Sequence, residues 1–346
     1  MMNANTMKAA VFKGSGIISV ESVPIPTVTH STDVLVKPEA ACICGSDMHI
    51  LAVPPGQRGD PGTIMGHEFV ATVLATGSEV HHVHEGDRVV VEPNIHCGVC
   101  PECRCGRENL CRDAQNIGQW RDGGFAEYRV VPAKQLHPIP KDMPAKLAAL
   151  AEPLACVMNG MMRLNPMPHE QVIVFGAGAI GLLFLRVLKM YGVRRVVVCE
   201  TTAKRREDAK RLGADLVLDP INENVANIMA AGEHGLADAV IDAVGVGTVL
   251  EQAIDALKCG GRLLVFGQNM TQRSTIRPGD INNKELTIFA TLSTLHSFPP
   301  AIEMLKIPSL GIESIITHEF PLSRIEQAIA VLRSNEAIKV LLRPGE

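Results

Sequence analysis

The sequence predicts a mixed fold in which an α/β domain with a doubly wound parallel sheet is joined to an irregular β-rich domain. Three observations indicate this. From Met7 to about Pro153 the chain reads as short β-branched strands bounded by Gly, Pro or Asp, as in a barrel-like β domain. From about Ala155, short apolar strands alternate with helical segments, which is typical of a parallel sheet covered by helices. After about Thr291 the pattern becomes irregular again.

The length of the chain, 346 residues, suits two domains better than one. Because the tail lacks the alternation of strands and helices, we expect it to return to the first domain. The predicted division is therefore residues 1–153 and 291–346 in one domain and residues 154–290 in the other. The clearest strands of the β-rich part are Asp33–Lys37, Phe69–Leu74 and Arg88–Val91.

Six apolar strands are predicted in the α/β domain, and helices separate most of them. Two helices end at a glycine, the residue that most readily adopts the left-handed conformation at a helix C-terminus. Ile180–Tyr191 ends before Gly192, and Ala203–Leu212 ends before Gly213. The six strands are Val172–Phe175, Val196–Glu200, Leu216–Leu218, Ala239–Asp242, Arg262–Phe266 and Leu286–Ala290.

The composition is that of a globular protein, with 46% hydrophobic and 20% charged residues and a net charge of −4. The basic residues are scattered, so a nucleic-acid partner is not expected. The longest apolar stretch, Val172–Leu185, is shorter than the roughly 20 residues of a membrane span. The first eight residues lack the apolar core of a signal peptide, so we expect a cytoplasmic protein.

Cysteines are concentrated in one segment. Five of the ten lie between Cys97 and Cys111, and a cytoplasmic compartment disfavours disulfides. The spacing Cys97-x2-Cys100-x2-Cys103-x7-Cys111 can close four thiolates around zinc and leaves no position for a substrate. It therefore predicts a structural zinc site. The alternatives are an empty or an iron-binding loop, and Cys105 is a spare thiol whose spacing fits less well.

A glycine-rich turn, Gly176-Ala177-Gly178-Ala179-Ile180-Gly181, follows one strand and opens a helix, as the dinucleotide-binding fingerprint requires. Its first glycine makes the turn, its second lets the backbone approach a pyrophosphate, and its third allows close packing of helix on strand. The predicted cofactor-binding residues are Gly176, Gly178, Ala179, Ile180, Gly181, Glu200 and Arg205.

Glu200 ends the next strand, 19 residues after Gly181, where a carboxylate can accept hydrogen bonds from the adenosine ribose. Its charge opposes a 2′-phosphate, which favours NAD over NADP. The basic residues Lys204, Arg205 and Arg206 argue the other way, since they could pair with a phosphate, although they also suit the solvated face of the following helix.

Three further segments supply the donor set of a catalytic zinc. They are Cys44-Gly-Ser-Asp-Met-His49, Gly66-His-Glu68 and Glu152-Pro-Leu154. Each residue taken alone has an ordinary structural explanation. Together they provide one thiolate, one imidazole and one or two carboxylates, a mixed set that leaves a coordination position open.

From about Met7 to Arg343 the chain resembles a family, the zinc-containing medium-chain dehydrogenases. The resemblance is closest to the sorbitol and other polyol dehydrogenases, with threonine dehydrogenase as a neighbour. The motifs occur in the family's order: Cys44-Gly-Ser-Asp-x-His49, Gly66-His-Glu68, the four-cysteine loop, Asp122-Gly-Gly-Phe-Ala-Glu-Tyr128 and Glu152-Pro-Leu-Ala155.

The resemblance implies a chaperonin-10-like (GroES-like) catalytic domain around an inserted Rossmann domain, a bound NAD, and two zinc ions per chain. It also implies a homo-oligomer, either a dimer or a tetramer. By motif, the catalytic zinc ligands are Cys44 and His67, with Glu68 and Glu152 as the carboxylate candidates. Asp47 would orient the imidazole ligand, and Ser46 and His49 would relay the substrate proton.

The implied reaction is hydride transfer between a secondary alcohol and NAD. Sorbitol dehydrogenases tend to carry an Arg-Tyr pair where this chain has Ser293 and Thr294, and often a Tyr where it has Ile50. A cyclitol, a sugar acid or a smaller diol suits the chain as well as sorbitol does. The alternatives are an L-threonine 3-dehydrogenase or a general secondary-alcohol dehydrogenase and, more remotely, a non-catalytic NAD-binding sensor or structural protein.

Overall fold

The structure, a computed structural model, describes residues 5–346. The chain forms two compact units. Of the described residues, the first unit comprises 5–155, Thr294–Pro308 and Ile312–Glu346, and the second comprises Cys156–Ser293 and Ser309–Gly311. No helix within the described part of the chain is long and apolar enough to cross a membrane.

The N-terminal part of the chain is rich in strands, and its helices are short except for the last. The strands are β1 (Thr6–Gly14), β2 (Ile17–Pro24), β3 (Asp33–Ile43), β4 (Glu68–Thr76), β5 (Arg88–Val91), β6 (Asn94–Ile95), β7 (Gln115–Asn116), β8 (Arg129–Pro132) and β9 (Leu136–Pro138). The helices are α1 (Gly45–Ile50), α2 (Pro101–Arg104), α3 (Ala145–Ala148) and α4 (Ala151–Leu164).

The middle of the chain alternates strands and helices, as predicted, and the tail adds two strands and two helices. The middle strands are β10 (Gln171–Phe175), β11 (Arg195–Cys199), β12 (Leu216–Leu218), β13 (Ala237–Asp242), β14 (Leu257–Val265) and β15 (Thr287–Ala290). The middle helices are α5 (Ala179–Met190), α6 (Ala203–Arg211), α7 (Val225–Ala231), α8 (Gly247–Ala256) and α9 (Pro278–Asn283). The tail forms α10 (Phe298–Leu305), β16 (Ile316–Pro321), α11 (Ile325–Arg333) and β17 (Lys339–Arg343).

The second unit is a doubly wound parallel sheet with the strand order β12-β11-β10-β13-β14-β15. This is the order of dinucleotide-binding folds, in which the first strand lies beside the second and the fourth. All five residues of the central strand β10 are buried, as expected for a parallel strand covered on both faces. The predicted fold class of this half is confirmed.

The main sheet of the first unit follows the path β16-β17-β3-β4-β5-β9, with β8 also paired to β3. Strand β3 is long, and its four C-terminal residues are all buried, because neighbouring strands pair with it on both sides. Cys42 on β3 pairs with Glu68 on β4 and with Leu341 on β17. The last strand of the chain is therefore separated from the first residue of β4 by a single strand, and this arrangement builds the candidate metal site.

Candidate metal and cofactor sites

The candidate catalytic residues gather where β3 ends and β4 begins. Cys44 follows the last residue of β3 and caps the N-terminus of α1. His67 immediately precedes β4, and Glu68 is its first residue. Because Glu68 pairs with Cys42, two residues before Cys44, the thiol and the carboxylate are brought together by strand register.

A glycine makes the turn that delivers His67. Gly66 has φ of +94°, a conformation that side chains rarely adopt. A Cβ atom at this position would also lie 2.3 Å from the ring of Phe125. Glycine is therefore required at this position by both its backbone conformation and its packing.

Cys44, His67 and Glu68 form a compact donor set whose ligand atoms all lie within 4.8 Å of one another. Zinc holds sulfur at about 2.3 Å and nitrogen or oxygen at about 2.0–2.2 Å, so these atoms fit around a single ion. Within residues 5–346, Glu152 is not part of this close group. It is buried in the first turn of α4.

Asp47 contacts two of these candidate ligands. Its Oδ2 atom accepts a hydrogen bond of 2.8 Å from the backbone N–H of Cys44, and its Oδ1 atom lies 3.5 Å from Nδ1 of His67. Burial alone would lower the pKa of His67. The negative charges of Asp47 and Cys44 outweigh burial and raise that pKa well above its usual value. The site therefore favours positive charge, as a cation-binding site should.

Lys339 is a site residue that the sequence analysis missed. Its ammonium lies 2.7 Å from Oε1 and 2.5 Å from Oε2 of Glu68, and both residues are buried. Burial opposes the charged lysine, but Glu68 and then Cys44 hold its pKa above the usual value. The available signal was the position of this lysine directly before the apolar run Val340–Leu342, where a charge is not expected without a partner.

The predicted proton relay is only partly assembled. Ser46 Oγ lies 3.3 Å from Nε2 of His67, so its hydroxyl is beside the candidate metal ligands. His49 is exposed at the other end of α1, and its backbone carbonyl accepts a hydrogen bond of 2.9 Å from Gly56. In the described part of the chain no hydrogen bond joins Ser46 to His49.

Thr294, one of the two positions where sorbitol dehydrogenases differ, faces the interior of the first unit. Its hydroxyl donates to Glu92 at 3.0 Å and accepts from Asn94 at 2.9 Å, and the residue is 2% exposed. Its side chain is thus engaged by neighbouring protein groups.

The four predicted zinc-binding cysteines, Cys97, Cys100, Cys103 and Cys111, form a second cluster, with sulfur atoms within 4.8 Å of one another. Backbone N–H groups of Val99 and Cys100 point at the Cys97 sulfur and lower the pKa of this thiol to about 7. Four sulfurs at these distances fit a tetrahedral zinc site. Cys105 is exposed and does not belong to the cluster.

The glycine-rich turn forms a cradle at the start of α5. Gly176 has φ of +98°, and a Cβ atom on Gly181 would lie 1.9 Å from the carbonyl oxygen of Gly176. The helix begins at Ala179 after Gly178, with no side chain capping its first turn. The backbone N–H groups of Ala179 and Ile180 are consequently available to an anion, and a cofactor pyrophosphate fits this cradle.

Glu200 lies beside this cradle and is 8% exposed. Its carboxylate accepts a hydrogen bond of 2.9 Å from the backbone N–H of Ala177 and one of 2.8 Å from Thr202. Arg206 donates to the carbonyls of Glu200 and Thr201, each at 2.7 Å, and pairs with Asp219 at 3.2 Å. Arg206 is therefore held by its own loop, while Lys204 is exposed and Arg205 half-buried on α6.

Two protein-family profiles match the chain, one in its N-terminal half and one in its C-terminal half. Residues 30–141 match the profile described as "Alcohol dehydrogenase GroES-like domain". Residues 179–306 match the profile described as "Zinc-binding dehydrogenase".

Similar proteins extend over the whole chain. D-altritol 5-dehydrogenase of Agrobacterium fabrum is 35% identical over 84% of this chain and 86% of its own length. An L-threonine 3-dehydrogenase of Anaeromyxobacter sp. is 33% identical over 98% of this chain and all of its own.

Solved structures match the fold equally well. A zinc-binding dehydrogenase of Sinorhizobium meliloti 1021 bound to NADP has a TM-score of 0.93 and 33% identity, covering 98% of this chain and 99% of that one. The alcohol dehydrogenase rspB of Escherichia coli CFT073, in complex with NADH, has a TM-score of 0.92 and 31% identity, covering 98% and 100%. Together with the two zinc-related clusters and the nucleotide cradle, these matches show that the chain belongs to the zinc-containing medium-chain alcohol dehydrogenase family.

Proposed function

We propose that this protein is a zinc-dependent oxidoreductase that transfers a hydride between a secondary alcohol and NAD. The observation that carries the proposal is the gathering of one thiol, one imidazole and one carboxylate within 4.8 Å, which is the donor set of a catalytic rather than a structural zinc. A silent NAD-binding sensor would have no need to keep this set together with the adjacent Ser46 hydroxyl.

Cys44, His67 and Glu68 would hold the catalytic zinc, and Glu152 is the remaining carboxylate candidate. A zinc ion in this position supplies Lewis-acid chemistry, lowering the pKa of an alcohol so that it loses its proton near neutral pH. Asp47 would orient His67, since its Oδ1 atom lies 3.5 Å from Nδ1 of that residue, and it accepts a hydrogen bond from the backbone N–H of Cys44. Carboxylates in this role keep a metal-bound imidazole in one tautomer.

Ser46 and His49 are the candidates for moving the substrate proton. The Ser46 hydroxyl lies next to the ligand set, and His49 is exposed, which suits a group that exchanges protons with solvent. An imidazole has an ordinary pKa of about 6.5 and can both accept and release a proton near neutrality. Because no hydrogen bond connects the two in the described chain, we propose that substrate or water completes the relay.

The nucleotide site is proposed at Gly176–Gly181 together with Glu200. The uncapped first turn of α5 would receive the pyrophosphate, and Glu200 would accept from the ribose hydroxyls. The Oε1 atom of Glu200 already accepts from the Thr201 hydroxyl and the Thr202 backbone N–H, whereas Oε2, which accepts from Ala177, keeps acceptor capacity for a ribose hydroxyl. Its fixed negative charge supports NAD, although relatives bind NADP in one case and NADH in another.

The second zinc is proposed at Cys97, Cys100, Cys103 and Cys111, where it would stabilise the loop and take no part in the reaction. We propose the division of labour predicted from the sequence, with residues 1–153 and 291–346 carrying both zinc sites and residues 154–290 carrying the nucleotide. A cytoplasmic location and a dimeric or tetrameric assembly stay predictions.

A polyol, cyclitol or sugar-like alcohol is the proposed substrate class. Relatives named for their substrates include dehydrogenases of D-altritol and of D-arabinitol. L-Threonine is the second candidate, since several relatives at 32–33% identity are L-threonine 3-dehydrogenases.

The test is NADH formation with a panel of polyols, cyclitols, 2,3-butanediol and L-threonine, each measured with and without a zinc chelator. We expect turnover with at least one polyol or cyclitol and loss of that turnover after metal removal. A preference for L-threonine would mean that this amino acid, and not a polyol or cyclitol, is the substrate. Chelator-resistant turnover would contradict the zinc mechanism, and NADH binding without any turnover would favour the sensor.

A further inference from the structure

Lys339 and Glu68 form an ion pair of a kind that folding alone does not favour. Both side chains are nearly inaccessible, at 6% and 1% exposure, and the ammonium contacts both carboxylate oxygens. Taking two charges out of water carries a large desolvation penalty, and a buried pair is often no more stabilising than apolar side chains of the same size. The pair therefore calls for an explanation in function.

The sheet topology places the Lys339 ammonium beside the candidate metal site. Lys339 begins β17, one residue before Val340, which pairs with Ile43 at the end of β3. Glu68 begins β4 on the opposite side of β3. The lysine side chain thus spans the end of β3, beside Cys44, to reach the carboxylate.

The charges around the site are unbalanced without this lysine. With a metal bound, the Cys44 sulfur and the carboxylates of Glu68 and Asp47 would bring three negative charges together; Cys44 is half-buried and both carboxylates are buried. A divalent cation leaves one negative charge in excess, and the Lys339 ammonium cancels it. The same ammonium competes with the cation for the oxygens of Glu68, because both oxygens already contact Nζ.

We propose that Lys339 is a positioning residue that holds Glu68 back from the metal, so that this carboxylate is a weak, displaceable ligand and a position stays open for the substrate oxygen. This inference rests on the proposed catalytic zinc. It explains how a site with two carboxylate candidates avoids closing into a four-ligand structural site, which would exclude substrate. We assign Lys339 no contact with substrate or cofactor, because its side chain is 6% exposed and its ammonium is engaged by Glu68.

Lys339→Met should bind the active-site metal more tightly and yet turn over more slowly. Removing the ammonium leaves Glu68 as a buried anion with no partner, which destabilises the metal-free protein. A metal ion in the site would restore that partner, so the metal-loaded protein should be destabilised less. By thermodynamic linkage the active-site metal must then bind more tightly than in the unmodified protein. Turnover should fall nonetheless, because Glu68 now occupies the open position.

The experiment measures zinc release into a coloured chelator from the intact, metal-loaded protein. The active-site phase is identified as the one missing from Cys44→Ala. We expect Lys339→Met to release this zinc at least about tenfold more slowly while its kcat falls at least about tenfold, with NADH affinity unchanged. Lys339→Arg should rescue both values, and Arg343→Met, which removes a cation from the same strand at its surface pair with Glu319, should change neither.

Equal or faster active-site release from Lys339→Met would overturn the proposal, since a merely structural lysine loosens the site when it is lost. If that variant does not fold, Lys339→Met combined with Glu68→Gln removes both partners of the pair and carries the test. It should release zinc at the same rate as Glu68→Gln alone, because without the carboxylate the lysine has nothing to hold back. A clear difference between these two variants would refute the role of Lys339. Identical release from Cys44→Ala and the unmodified protein would instead refute the catalytic zinc.

Discussion

Nδ1 of His67 lies 3.5 Å from Oδ1 of Asp47, and both side chains are buried. The second oxygen of the same carboxylate accepts the backbone N–H of Cys44 at 2.8 Å. One carboxylate therefore contacts a ligand that precedes β4 and another that follows β3. This places Asp47 where it can fix the spacing of the thiol and the imidazole before a metal binds.

Replacing Asp47 with Asn should weaken the catalytic zinc site while leaving the fold intact. The amide keeps the shape and one acceptor oxygen but loses the charge that favours a cation near His67. Loss of such a partner typically costs about 10–100-fold in metal affinity or activity. We expect faster active-site zinc release and a lower kcat, measured by chelator competition and NADH formation. Asp60→Asn, at an exposed pair with Arg58, is the matched control and should behave like the unmodified protein.

The sequence predicted the parts of the site that depend on short motifs. Cys44, Asp47 and His67 lie on two segments whose spacing is characteristic, and strand register then brings these segments together. Lys339 escaped prediction because it pairs with Glu68 across 271 residues, a contact created by the return of the C-terminal strand to the first sheet. No local pattern encodes a pairing between strands so far apart.

The hydrogen bonds around Glu200 could not be predicted from the sequence either. Its position at the tip of the second strand of the α/β unit followed from the spacing after Gly181. Its hydrogen bond from Ala177 depends on how the glycine-rich turn and the end of β11 approach each other in the folded sheet. The predicted basic cluster likewise divides in the structure, because Arg206 is held by Asp219 and backbone carbonyls.

Replacing Cys100 with Ser should lower the zinc content from two ions to about one per chain and destabilise the protein. A four-thiolate site contributes folding free energy directly, and the loss of one ligand leaves three buried or half-buried thiols without their metal. Elemental analysis and thermal unfolding measure the two effects. Cys105→Ser, in the same segment but outside the cluster, is the control. Two zinc ions and an unchanged Tm in Cys100→Ser would exclude a structural zinc here.

Replacing Cys44 with Ala should abolish turnover and leave NADH binding largely intact, because the proposed nucleotide cradle is built from Gly176–Gly181. Replacing His49 with Gln should be milder, with a loss in the range of about 10²–10⁴-fold and an altered pH–rate profile, as for general acid–base groups. Steady-state kinetics and NADH fluorescence titration separate the two. His84→Gln, on an exposed turn, controls for the loss of a surface imidazole. Full activity of the Cys44 variant would refute the catalytic zinc site.

Glu200 should give the enzyme a preference for NAD over NADP of at least about a hundredfold. A 2′-phosphate would place nearly two negative charges against a buried carboxylate, and like charges in a binding site cost several kcal/mol, where about 1.4 kcal/mol is tenfold in affinity. The ratio of kcat/KM for the two cofactors measures the preference. Equal use of both by the unmodified enzyme would show that Lys204 and Arg205 outweigh Glu200.

Glu200→Ser should close most of that gap by losing NAD affinity and gaining NADP affinity, because the repulsion disappears while Lys204 and Arg205 stay on α6. The structure adds a second expectation. Glu200 also accepts the backbone N–H groups of Ala177 and Thr202, so its loss should loosen the cradle, which deepens the loss of NAD affinity and limits the gain in NADP affinity. Glu207→Ser removes an exposed negative charge from α6 and should leave the ratio of kcat/KM for NAD and NADP unchanged. A shift of the ratio in the control as large as that in Glu200→Ser would mean that general surface charge, and not Glu200, selects the cofactor.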